Sequence, residues 1–205
     1  MKKFILLSFS ILTIFQLSGQ SDSLSQLSVR ERNRAIQHLL DYRFRGGSGA
    51  FEKYLFEYVD YPTEARQKCI IGTTILIFTV DCDNNMSELR IRNPLHPKIN
   101  DQLRQFYNAT EGMWNHCEDQ KYTRFEIPVL FIVGSTETTA NAFIRYETEA
   151  EGMKCRSDAW HMEQYEKMKA KNKIKQALRN LDILIQRDPY NQTYYELKRG
   201  LLTNE

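Results

Sequence analysis

The chain has 205 residues, enough for one domain and a smaller unit. A hydrophobic fraction of 41% and an aromatic fraction of 12% suit a packed core rather than disorder. The formal net charge is +2, and with residues 1–20 set aside 26 basic residues meet 26 acidic ones, so nothing electrostatic points to nucleic acid or an anionic membrane surface.

The N-terminus has the form of a secretory signal peptide. Lys2 and Lys3 supply the positive start, Phe4 to Leu17 is apolar apart from Ser, Thr and Gln16, and Ser18-Gly19-Gln20 offers small residues before a cut. The apolar run falls short of the ~20 residues that a bilayer span needs. An uncleaved anchor is the alternative reading. No Cys follows the run, which speaks against a lipid anchor, and no later segment has the composition of a span. Residues 1–20 are therefore expected to be removed, leaving a periplasmic or exported chain with no integral membrane span.

Residues 21–45 are polar, with a helical hint in Leu24, Leu27, Ile36, Leu39 and Leu40. Gly46-Gly47-Ser48-Gly49 interrupts the chain. Phe51, Tyr54, Leu55 and Tyr58 then follow helical spacing and make one apolar face. Tyr61-Pro62 ends that helix, because a residue before proline is pushed out of helical geometry. From Ile70 to Val80 the chain reads as a strand with Ile71, Ile75 and Ile77 on one face and Leu76, Phe78 and Val80 on the other, so it belongs in the centre of a sheet. Asp81 to Asn85 is turn chemistry, and Glu88 to Arg92 reads as a short edge strand guarded by charge.

After Pro97, a second amphipathic helix is marked by Ile99, Leu103, Phe106 and Tyr107. Tyr122 to Val133 is a third strand whose Phe125, Ile127, Val129, Phe131 and Val133 share a face, while Pro128 places it at an edge or a bulge. The expected fold is α+β: a three-stranded antiparallel sheet over residues 70–133, the first strand in the middle, with helices on one face. Residues 134–157 are polar and read as a linker. Residues 158–203 are expected to form a helical hairpin turning at Asn172, marked by Trp160, Tyr165, Met168, Ile174, Ala177, Leu178, Leu181 and Ile185, and then a third helix after Asp188-Pro189.

One family shares this pattern. Gly46-Gly47, Ala50-Phe51, Tyr54-Leu55, Tyr61-Pro62, Ala65 and Gly72 resemble the entry to the TonB C-terminal domain, in the form common in Bacteroidetes. Phe78, Val80-Asp81, Asn84-Asn85, Trp114 and Phe125 to Phe131 continue the resemblance across residues 46–133. The usual Asp-Gly turn is Asn84-Asn85 here, and the usual Trp-x-Pro is Trp114-Asn115-His116. The membrane-spanning helix and Pro-rich spacer of an energy-transducing member are absent from this sequence. The resemblance implies a receptor-facing, protein-binding module linked to transmembrane transport, with outer-membrane TonB-dependent receptors as partners. An extended receptor peptide would pair with the third strand between Lys121 and Phe131, along Tyr122, Arg124, Phe125, Glu126, Ile127 and Pro128, with Tyr61 and Pro62 nearby; a purely structural role for these residues is the competing reading. The helices of 158–205 resemble a tetratricopeptide unit, with Ala177 at the small position of its second helix. An envelope assembly factor that binds its partner through these helices is the alternative function.

No catalytic constellation stands out. His38, His96, His116 and His161 are scattered without ligand spacing, so no metal site is expected. Asp81, Asp83 and Asn85 mimic a calcium loop, but Met86 stands where it needs glycine and Arg92 where it needs a carboxylate. No nucleophile motif, P-loop or dinucleotide fingerprint occurs, so neither an enzyme nor a cofactor is expected. Cys69, Cys82, Cys117 and Cys155 allow three pairings. Cys69 and Cys82 lie at opposite ends of the first strand, beyond the ~7 Å reach of a bridge. Cys117 precedes a third strand that starts where Cys82 lies, and Cys155 follows one that ends near Cys69. The expected bridges are Cys82–Cys117 and Cys69–Cys155, with reduced thiols as the alternative.

Overall fold

A computed structural model describes residues 28–118, 122–150, 152 and 154–203. The signal peptide expected at residues 1–20, and Lys121, lie outside these. Among the described residues the chain runs α1 (Val29–Arg43), α2 (Gly47–Tyr58), α3 (Thr63–Gln67), β1 (Gly72–Asp81), β2 (Arg90–Arg92), α4 (Pro97–Ala109), β3 (Tyr122–Val133), β4 (Ile144–Thr148), α5 (Asp158–Ala170), α6 (Ile174–Arg187) and α7 (Gln192–Leu202). None of these helices is long and apolar enough to cross a membrane.

The sheet has four strands in the order β2-β1-β3-β4. β1 is central, as its two apolar faces require, and pairs antiparallel with β2 and with β3. β4 corrects the expected three-stranded antiparallel sheet. It pairs parallel to β3, with Val129 opposite Ile144 and Val133 opposite Thr148, so the sheet is mixed. β4 comes from the segment read as a linker, where Ile144, Tyr146 and Thr148 alternate with Arg145 and Glu147 in a strand of only five residues. β3 is consequently no edge strand over its C-terminal half, and Phe125 to Val133 is buried residue after residue.

Leu76, Phe78 and Val80 of β1 share one face with Thr123, Phe125 and Ile127 of β3. The Phe78 ring stacks on Phe125 at 5.0 Å and meets Trp114 and, from α4, Tyr107. Trp114, 2% exposed, is core, and it packs on Phe44, next to α1, and Phe51 of α2. The core also draws in Ile36 and Leu40 from α1 and Ala140, Ala142 and Ile144 from the segment expected as a linker. α1 begins on a capping box in which Ser28 and Glu31 satisfy each other's backbone N–H groups. The β1–β2 connection turns at Asn84, φ +69°, with its N–H on the Asp81 carbonyl.

The C-terminal helices have their own small core of Tyr165, Ala177, Leu181, Leu184, Tyr194 and Leu201. α5 ends at Ala170, and the chain reverses into α6 at Asn172, φ +55°. The unit is fastened to the sheet at the end of α6. Thr73 Oγ1 donates to the Arg187 carbonyl at 2.7 Å, and Asn93 Nδ2 donates to the carbonyls of Thr73 and Gln186 at 2.6 and 2.7 Å. A Cβ on Gly72 would lie 2.6 Å from the Gln186 carbonyl oxygen, so this approach needs glycine. Leu178→Pro in α6 should cost ~3 kcal/mol or more, from a lost hydrogen bond and a ring clash. Urea unfolding reads that loss; a variant with an unchanged midpoint would mean that α6 contributes nothing to the folded unit.

The disulfides pair as expected: Cys69–Cys155 with Cα atoms 5.5 Å apart, and Cys82–Cys117 with Cα atoms 4.7 Å apart.

Candidate protein-binding edge

Thr79 fixes the direction of the main-chain groups. Its N–H donates to Ser87 Oγ at 2.8 Å and its carbonyl accepts from the Ser87 N–H at 2.9 Å, both on the β2 side. Opposed residues in an antiparallel pair either exchange both hydrogen bonds or make neither. Arg124 lies opposite Thr79, so its N–H and carbonyl point away from β1. The same parity applies to Tyr122, Glu126 and Pro128. The missing N–H of Pro128 is therefore on the outer side and takes nothing from the ladder with β1.

β4 begins to pair at Val129, one residue past Pro128. The outer side of β3 is thus divided. Its C-terminal half is closed by β4, and its N-terminal half, Tyr122 to Pro128, has no strand beside it. Among the described residues nothing hydrogen-bonds the outward main-chain groups of Tyr122, Arg124 and Glu126. Tyr122 is 56% exposed and Arg124 is exposed, whereas Glu126 is 6% exposed, so access narrows from Tyr122 inward.

α1 flanks this half-edge. At one end Arg43 donates to Thr123 Oγ1 and to the carbonyls of Asn115, Val80 and Asp81. At the other, Arg32 and Asn33 donate to the carbonyls of Asn141 and Ala142, just before β4. Arg32 also lies 3.8 Å over the Tyr190 ring. Burial pulls the Arg32 guanidinium below its ordinary value. On the face of Glu126, an ion pair joins Glu126 to Arg92 of β2.

The structure separates the residues expected at one site. Tyr122, Arg124 and Glu126 stand along the open half-edge, which ends at Pro128, just before β4 begins to pair. Phe125 and Ile127 point into the core, at 1% and 0% exposure. Tyr61 and Pro62 are buried elsewhere. The Tyr61 ring lies 5.7 Å from Phe131 and 6.4 Å from Tyr146, in the half of β3 that β4 closes. Burial pushes its phenol well above the ordinary range, and the neutral hydroxyl donates to the Ile70 carbonyl. Sequence reading missed Arg32, Asn33 and Arg43; cations at helix ends read as solvated, and only the tertiary contacts show their roles.

These features define a class: an α+β module with two disulfides and a partly open sheet edge. No family model matches the chain, and no curated protein does. Two NMR solution structures of the Helicobacter pylori TonB C-terminal domain are similar to it. One, at 14% identity and a TM-score of 0.35, covers 42% of this chain and 78% of that one. The other, at 15% identity and a TM-score of 0.33, covers 40% of this chain and 87% of that one.

Proposed function

We propose that this chain is a non-catalytic protein-binding module of the cell envelope, exported on a cleaved signal peptide, that takes an extended peptide as an added strand along Tyr122 to Pro128. The observation that carries this reading is the row of outward main-chain groups at Tyr122, Arg124 and Glu126, on the half of β3 that β4 leaves unpaired. Unpaired donors and acceptors on a strand edge are a template for strand addition, and alternate side chains give selectivity. Two disulfides fit an oxidising compartment. The family resemblance in the sequence makes outer-membrane receptors the partners to try first.

Arg124→Pro tests the reading. It removes an N–H that the β1–β3 ladder does not use, on the same side of the strand where Pro128 is already accommodated. The probe is a set of synthetic peptides covering the periplasm-exposed N-terminal segments of outer-membrane receptors from the same cell. Binding should fall about tenfold or more in Arg124→Pro, a loss of about 1.4 kcal/mol, and persist in Arg124→Ala. Equal binding by Arg124→Pro and the parent, at unchanged melting temperature, would sink strand addition.

A further inference from the structure

A second surface lies between β2 and α7. It is an open groove of about 800 Å³ whose walls include Pro189, Tyr190 and Tyr195 and whose cations are Arg92, Lys198 and Arg199; no carboxylate lines it. With residues 1–20 set aside the chain is neutral, so a lining with three cations, whose nearby acids Glu126 and Asp182 stand outside it, is a local feature rather than a reflection of bulk charge.

Two of the cations have partners at the rim. Lys198 meets Asp182 at 2.7 Å, and Nη2 of Arg92 is held by Glu126. Lys198 and Asp182 are 38% and 53% exposed, and such a pair holds weakly in water, so another carboxylate can take the place of Asp182. The Arg92 guanidinium also lies over the Tyr190 ring, 5.9 Å from its centroid. Arg199 is exposed and has no ion pair among the described residues. The aromatic wall is set in advance: Arg32 backs the Tyr190 ring at 3.8 Å, and the Tyr195 hydroxyl donates to the Pro189 carbonyl at 3.2 Å. A wall already held in place lowers the ordering that binding requires.

We infer that this groove binds an acidic peptide segment, one apolar or aromatic side chain lying against Tyr190 and Tyr195 while flanking carboxylates meet Arg92, Lys198 and Arg199. Charge complementarity selects this occupant. An open groove with Arg92 on its β2 wall and Lys198 and Arg199 on its α7 wall can meet carboxylates of a chain lying between them. The groove and the half-edge share no residue, although Glu126 of the half-edge holds Arg92 of the groove.

The test is fluorescence anisotropy with a positional-scanning library of labelled hexapeptides. The library should select Asp or Glu at two positions and an aromatic or aliphatic residue at a third. The selected peptide should bind about tenfold or more weakly to Arg199→Glu and to Lys198→Glu, both surface changes that leave the core intact, and more weakly as salt rises. Arg124→Pro should bind it as the parent does, which keeps failure here distinct from failure of strand addition. Four outcomes would overturn the inference: selection of neutral or basic peptides, unchanged binding by both charge-reversed variants, displacement by inorganic phosphate at concentrations comparable to the peptide, or self-association of the protein that Arg199→Glu abolishes, which would make the occupant a second copy.

Discussion

Arg187→Met should lower stability by about 3–5 kcal/mol, read as a lower urea midpoint at an unchanged slope. Arg187 is 2% exposed, and its Nη1 donates to Asp158 Oδ1 at 2.7 Å. Asp158 is 5% exposed, and its other oxygen accepts from Thr138 Oγ1 at 2.7 Å and the Thr139 N–H at 2.8 Å. The pair ties α5, α6 and the loop before β4 at one point. Methionine keeps most of the volume but leaves the Asp158 charge buried without a counter-charge, and uncompensated burial of a charge is the large term. Adding Asp158→Asn should restore part of the loss, because a neutral amide needs no counter-ion. A loss under about 1 kcal/mol would place this pair with weak, solvated ones.

The same pair sets an acid dependence. Burial pushes the Asp158 carboxyl up, but hydrogen bonds from Arg187, Thr138 and Thr139 and the Arg187 charge outweigh burial and hold it below its ordinary 3.8. The folded protein therefore binds this proton less readily than the unfolded chain does. The contribution is present above the ordinary carboxylate value and is lost as pH falls through the depressed one. Arg187→Met should flatten that part of the stability profile.

Cys69→Ser combined with Cys155→Ser should be the second large effect. The bridge closes a sequence separation of 86 residues, and Cys82–Cys117 one of 35. Loop-closure entropy assigns about 4.6 kcal/mol to the first and about 3.8 kcal/mol to the second. Removing the long bridge should therefore lower the urea midpoint more than removing the short one. A reversed order would show that the unfolded chain already holds the 69–155 segment together.

Both bridges are legible in the sequence because they follow from strand direction. β1 is read from two apolar faces, β3 from a long alternation, and antiparallel pairing of the two puts Cys82 near Cys117 and Cys69 near Cys155. α2, α4 and α6 are legible from single apolar stripes. β4 is not, because five alternating residues in a polar stretch have no meaning until β3 supplies a parallel partner. Pro128 points to the correct side of β3 but does not say how far the opening runs; that depends on where Ile144 arrives. Tyr61-Pro62 marks a helix end in sequence, and only packing against Phe131 and Tyr146 shows it to be core. The Arg32–Tyr190 contact joins residues at opposite ends of the chain, and no local pattern encodes it.

The Cys69–Cys155 bridge also determines how the molecule carries tension. Every strand, from Gly72 to Thr148, lies inside the covalent ring that it closes, with the Cys82–Cys117 ring nested within. When the segments on either side of that ring are pulled apart, force passes from α3 through the sulfur atoms to α5 and bypasses the sheet. At ~3.4 Å per residue, the 86-residue separation keeps about 290 Å of contour length out of reach. What yields first lies outside the ring: α1, which flanks the open half of β3, and the C-terminal helices. Stretching therefore loads the elements around the open half of β3 while the hydrogen bonds between β1 and β3 remain unloaded.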